Sequence, residues 1–166
     1  MIGRYIYWLT SRLAGMISKW FRGVLFEVYT DGSFKNGRGS WAYVIVRQKR
    51  VVLENSGLAL KTNSLRMELR AANEALSSLR AVKELGAASR FSATRDSVIL
   101  FSDSRILVDR MKFGKEVSES RPNAELLNAL LKLSREFRVE WRWVRAHSGQ
   151  MYNERCDELC VLARTV

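Results

Sequence analysis

Four acids stand where the chain could gather them for chemistry: Asp31, Glu68, Asp103 and Asp157. Asp31 follows the β-branched and aromatic run VLFEVYT, residues Val24–Thr30, and Asp103 follows the apolar run SVILFS, residues Ser97–Ser102. If these runs are adjacent parallel strands, both carboxylates emerge at the carboxyl edge of a sheet, where open α/β sheets bind ligands. Glu68 and Asp157 fall in the first turn or two of predicted helices. Singly, each has a plain structural reading: a helix N-terminus favours an acid, and Asp is a common turn residue. Together they repel one another unless cations fill the space between them. Hard oxygen ligands suit Mg²⁺ or Mn²⁺. An acidic metal cluster in an otherwise basic protein fits phosphodiester chemistry, in which metals stabilise the attacking and leaving oxygens.

The elements that must position these acids follow from periodicity. Val24–Thr30, Trp41–Arg47 and Val51–Leu60 read as strands close enough to form an antiparallel meander, with FKNGRGS (Phe34–Ser40) as the first turn. Asn63 or Ser64 caps a long helix running to Leu85, with Gly86 as its stop. SVILFS suits a strand buried on both faces, hence parallel to a neighbour. A short helix follows over Ser104–Lys112, then a charged loop over Met111–Arg121. Asn123 is the expected cap of a helix to Phe137, Arg138–Val144 alternates as a strand, and Asn153 is the expected cap of a final helix. The order βββαβααβα predicts one α/β domain with a mixed sheet.

Composition sets the partner class. Formal net charge is +11, hydrophobic content is 47%, and there is a single Pro among ten Gly, so disorder and low-complexity readings fail. The cysteines Cys156 and Cys160 lie four apart on one predicted helix, so no disulfide framework is expected. The charge points to nucleic acid or an anionic membrane surface and does not choose between them. Residues 1–22 hold Arg4, Arg12, Lys19 and Arg22 and no acid, with Ile2, Tyr5, Ile6, Leu9, Leu13, Met16, Ile17, Trp20 and Phe21 at helical spacing. This basic amphipathic extension is open to four readings: a helix docked on the domain, an interfacial membrane helix, a partner-binding helix or an organelle-targeting segment. Expected organisation is the extension over residues 1–22 and one domain over residues 23–166, as a cytoplasmic monomer.

Four segments then resemble a known family. YTDGS (Tyr29–Ser33), TNSLRMEL (Thr62–Leu69), FSDS (Phe101–Ser104) and VEWRWVRAHSGQMYNERCDEL (Val139–Leu159) match type 1 ribonuclease H in the family's order and near its separations. The resemblance covers Val24 to Leu162. It implies an RNase H-like fold, a five-stranded mixed sheet of order 3-2-1-4-5 flanked by helices. It implies an endoribonuclease that cuts the RNA strand of RNA/DNA hybrids with two Mg²⁺ ions, Mn²⁺ substituting, and leaves 5′-phosphate and 3′-hydroxyl ends. Asp31, Glu68, Asp103 and Asp157 would hold the metals, and His147 would assist proton transfer or product release. Thr62 and Asn123 would hold a DNA-strand phosphate, and Asn36, Asn63, Ser104 and Asn153 would face the hybrid. Trp141 and Trp143 alternate onto one face and are expected to pack.

The chain also departs from the pattern. The first turn is shorter than the family's, one extra residue separates Thr62 from Glu68, and Arg105 stands where many relatives have Gln. The Trp- and Lys-rich helix that many relatives insert after the fourth strand is missing from Met111–Arg121. The cations of residues 1–22 are a candidate replacement. Competing functions are another nuclease or integrase of the same superfamily and an inactive hybrid-binding module.

Overall fold

The computed structural model describes residues 25–85 and 97–165; expectations for residues 1–22 lie outside the described residues. Nine elements follow in chain order: β1 (Leu25–Lys35), β2 (Arg38–Arg47), β3 (Arg50–Leu60), α1 (Ser64–Leu85), β4 (Ser97–Ser102), α2 (Arg105–Phe113), α3 (Ala124–Glu136), β5 (Arg138–Trp143) and α4 (Met151–Thr165). The sheet order is β3-β2-β1-β4-β5, as expected. β1 pairs antiparallel with β2 and parallel with β4, and β4 pairs parallel with β5.

Alternation along the strands feeds two cores. Val28, Tyr43 and Ile45 face α1, α2 and α3, while Tyr29, Ala42, Val44 and Val46 face Cys156, Leu159 and Cys160 of α4. α4 packs on β1, β2 and β3, so β4, although parallel to both neighbours, is fully buried on one face only: Val98 and Leu100 are buried, while Ile99 and Phe101 on the other face stay half-buried, which corrects the expectation of a strand buried on both faces. Among the described residues no helix is long and apolar enough to cross a membrane.

Four local expectations need correction. β1 does not stop at Thr30. Its ladder with β2 continues from Asp31↔Ala42 to Lys35↔Arg38, and the turn shrinks to Asn36 and Gly37, both with positive φ. Asn-Gly is the dipeptide that a two-residue hairpin of this hand prefers. α4 starts at Met151 rather than after Asn153, because Gln150 caps it: its Oε1 accepts from the Tyr152 N–H at 3.1 Å and its carbonyl from the Glu154 N–H at 3.0 Å. Asn123 holds the N-cap place of α3 at φ 61° without a side-chain cap bond. Trp141 packs in the core, but Trp143 on the same face is 40% exposed.

The β2–β3 turn carries Gln48 and Lys49 at φ 51° and 62°, where L side chains are strained. Lys49→Gly should therefore stabilise the protein by about 0.5–1 kcal/mol, seen as a higher urea midpoint at unchanged slope. A lowered midpoint would contradict the strain.

Candidate active site

β1 and β4 run side by side until Thr30↔Ser102, where β4 ends and β1 continues beside β2 alone. The gap beyond β4 is the carboxyl edge of the parallel pair. Asp31 enters it from β1 and Asp103 from the first residue after β4. Glu68 reaches it from the second turn of α1, whose backbone lies against β1 at Gly32. A Cβ built on Gly32 would sit 2.1 Å from the Glu68 nitrogen, so only glycine admits this approach. The Gly32 N–H hydrogen-bonds to the carboxylates of both Asp31 and Glu68.

Asp31, Glu68 and Asp103 each offer a carboxylate oxygen, and the three oxygens lie within 4.8 Å of one another. Asp31 and Glu68 are each only 8% exposed. Burial, then the neighbouring Asp103 charge, pushes the Asp31 carboxyl up to about 6. Burial likewise holds the Glu68 carboxyl well above its usual range, reinforced by Asp31 and Asp103. Asp103 is raised mainly by burial and held back by a hydrogen bond with the Asn153 side chain. Three crowded oxygen donors disfavouring their own charge form a donor set suited to a hard divalent cation.

Asp157 is not in this close group. It lines the same cleft, of about 180 Å³, together with Asp31, Asp103, His147, Asn153 and Ser64. Its half-exposed carboxylate meets the His147 Nδ1 at 4.0 Å, and the His147 side chain is 78% exposed on its loop. Asn153 sits inside α4, 3% exposed, with its Oδ1 unpaired by protein. Asn63 caps α1 by accepting from the Arg66 N–H at 2.9 Å, and Ser104 caps α2 through the Leu107 N–H at 3.4 Å. Thr62 presents a buried Oγ1 with no protein partner. Asn123 accepts from the Arg66 Nη1 at 3.1 Å, so Thr62, Arg66 and Asn123 surround the start of α1 and α3. Asn36 stands exposed at the hairpin tip, outside the cleft lining.

Sequence reasoning missed several supporting groups. Ser102 Oγ lies 3.5 Å from Glu68 Oε2 and accepts from the Ser104 N–H at 3.0 Å, which fixes the chain around Asp103. The thiols of Cys156 and Cys160 donate to the Tyr29 and Asp31 carbonyls at 3.3 and 3.6 Å, behind the cluster. Only the helical spacing of the two cysteines hinted at this face.

The raised Asp31 carboxyl has a stability consequence. At pH 5 the folded group keeps a proton that the unfolded group, near its ordinary 3.8, has released. Metal-free stability contributed by this site is therefore present below about pH 4 and lost as pH rises through about 6. The loss is on the order of 3 kcal/mol. In EDTA, Asp31→Asn should be less destabilised than wild type on moving from pH 4.5 to 7.5. Identical pH dependence in both proteins would contradict the crowding.

Comparison with known proteins agrees with this geometry. The RNase H family model matches residues 25–165. Ribonuclease HI of Campylobacter jejuni is 33% identical over 140 residues, covering 80% of this chain and 86% of that protein. Ribonuclease H of Geotalea uraniireducens is 37% identical over 145 residues, covering 80% and 89%. Among solved structures, LC9-RNase H1, a type 1 RNase H with the type 2 active-site motif, aligns with TM-score 0.66 at 28% identity over 85% of this chain and 72% of that one. LC11-RNase H1 in complex with RNA/DNA hybrid aligns with TM-score 0.64 at 19% identity, covering 84% and 99%, a likeness of fold. The chain belongs to the RNase H family. It is by that membership a hydrolase of the ribonuclease H kind, in a metal-dependent family.

Proposed function

We propose that this protein is an endoribonuclease that hydrolyses the RNA strand of RNA/DNA hybrids and leaves 5′-phosphate and 3′-hydroxyl ends. The observation that carries this reading is the meeting of Asp31, Glu68 and Asp103 oxygens within 4.8 Å at the sheet edge. Asp31, Glu68, Asp103 and Asp157 would hold two Mg²⁺ ions, or Mn²⁺ in their place. Bound there, such ions supply an activated water and charge stabilisation for the departing 3′ oxygen.

The chain's own groups do the rest. Gly32 N–H and Ser102 Oγ orient Glu68, and Asn153 orients Asp103. His147, exposed on a loop beside Asp157, takes a proton at its imidazole or assists release of the product. Thr62 and Asn123, the latter held by Arg66, receive a phosphate of the DNA strand. Asn63 and Ser104 present their remaining polar atoms at the N-termini of α1 and α2, where phosphates are favoured. Asn36 is the outermost contact, at the hairpin tip. The relative solved with an RNA/DNA hybrid supports the substrate class. We further propose that the catalytic unit is residues 23–166 and that the four cations of residues 1–22 add electrostatic hold on the substrate.

The test uses purified full chain on end-labelled RNA/DNA hybrid, RNA duplex and DNA duplex, with analysis of the product ends. Cleavage of the hybrid's RNA alone, with ligatable 5′-phosphates, is expected. Equal cleavage of RNA duplex, or 3′-phosphate ends, would overturn the reading.

A further inference from the structure

A second concave surface opens on the far side of Asp103. It is a groove of about 840 Å³ between α2, α3 and the edge strand β5. Four cations line it, Arg105, Lys112, Arg135 and Arg142, against one acid, Glu140. Arg142 pairs with Glu140 at 2.7 Å and Arg135 with Glu116 at 3.0 Å, but all four partners are exposed. Such pairs hold weakly and exchange readily for a polyanion. Arg105 meets a ring instead of a carboxylate: its guanidinium lies 4.4 Å above Trp143. Lys112 is exposed at the end of α2, beside a Phe113 that is 79% exposed.

Trp143 connects this groove to the acidic cleft. Its Nε1 donates to the Asp103 carbonyl at 2.9 Å, so the groove begins at the backbone of a cleft acid. From there it follows β5 back to Val139. Cations along a track, with an arginine-backed ring at its mouth, are what a single strand requires: charge for phosphates and a flat face for bases.

We propose that this groove binds single-stranded nucleic acid continuing from a hybrid seated in the acidic cleft. Arg105 and Trp143 form the mouth, and Lys112 and Arg142 follow the phosphates. This rests on the hybrid reading of the cleft. It gives the chain, which lacks the basic helix of many relatives, a preference for hybrids that end in a single-stranded tail.

Two measurements test it on the full chain. In Mg²⁺, hybrids carrying a ten-nucleotide tail at each possible end are compared with the blunt hybrid. At least one tail should lower KM about tenfold and steepen its salt dependence. The double charge reversal Lys112→Glu with Arg142→Glu should abolish that gain while cutting the blunt hybrid with wild-type kcat and KM. No gain from any tail, a gain that survives the reversal, or an equal loss on blunt and tailed hybrids would overturn the proposal. Separately, a labelled single-stranded oligonucleotide should bind the wild type about tenfold more tightly than the double variant. Equal binding would overturn the proposal, as would an acidic peptide that shows the same dependence when the oligonucleotide does not bind. Failure to cut the blunt hybrid would instead remove the hybrid reading, and the oligonucleotide measurement still decides the groove.

Discussion

Asp103→Asn is expected to slow Mg²⁺-dependent cleavage by about 10³-fold or more, equivalent to about 4 kcal/mol of transition-state stabilisation. The substitution removes one of three charges that meet within 4.8 Å and leaves the shape of the side chain intact. The Asn153 contact survives, because an amide oxygen still accepts from it. Repulsion between the carboxylates falls, so the metal-free variant should melt above the metal-free wild type at pH 7.5. Activity and stability thus move in opposite directions, which a misfolded variant cannot reproduce. Added Mg²⁺ should raise the melting temperature of the wild type and do so much less for the variant. A variant that retains wild-type activity, or that loses stability along with activity, would contradict the role given to Asp103.

The second large effect belongs to a residue with no chemistry of its own. In Gly32→Ala, the new methyl would lie 2.1 Å from the Glu68 nitrogen, 2.5 Å from the Met67 carbonyl carbon and 2.6 Å from the Glu68 Cα. All three are backbone atoms, so no side chain can swing aside. Either α1 must retreat from β1 or β1 must bend away from β2. Overpacking of this kind destabilises by about 3 kcal/mol or more. Retreat of α1 also withdraws Glu68 from Asp31 and Asp103, and displacement on the order of 1 Å at such a site lowers rates about 10²-fold. The expected outcome is a lower urea midpoint together with a fall in kcat that excess Mg²⁺ does not restore. Wild-type stability would show that β1 and α1 do not approach as described.

What the sequence revealed and what it hid divide along physical lines. The apolar run of β4, the alternation of the other strands and the stripe of the long helix were legible because burial imposes periodicity. They suffice to bring Asp31 and Asp103 to one edge. The extension of β1 through Asp31 was hidden because Asp-Gly-Ser reads locally as a turn. The β2 ladder overrides that preference, and Asn36-Gly37 is the true turn signal. The start of α4 was misplaced because Asn153 is a good cap by type, whereas Gln150 does the capping and Asn153 is drawn inside to Asp103. Alternation alone places Trp143 in the packed face. At the end of an edge strand the core has run out, and the ring instead holds the Asp103 carbonyl. The four acids were identifiable as a set, but their division into a close three and a rim Asp157 beside His147 depends on helix approach, which no spacing encodes.

Hybrid specificity and metal dependence are read together by following the two strands of one hybrid. Each strand is labelled in turn, and the full-length protein is added with Mg²⁺ or with excess EDTA. Internal cuts in the RNA strand with Mg²⁺, an intact DNA strand under both conditions, and no cleavage of either strand in EDTA are expected. RNA cleavage that persists in EDTA, or cleavage of the DNA strand, would contradict it.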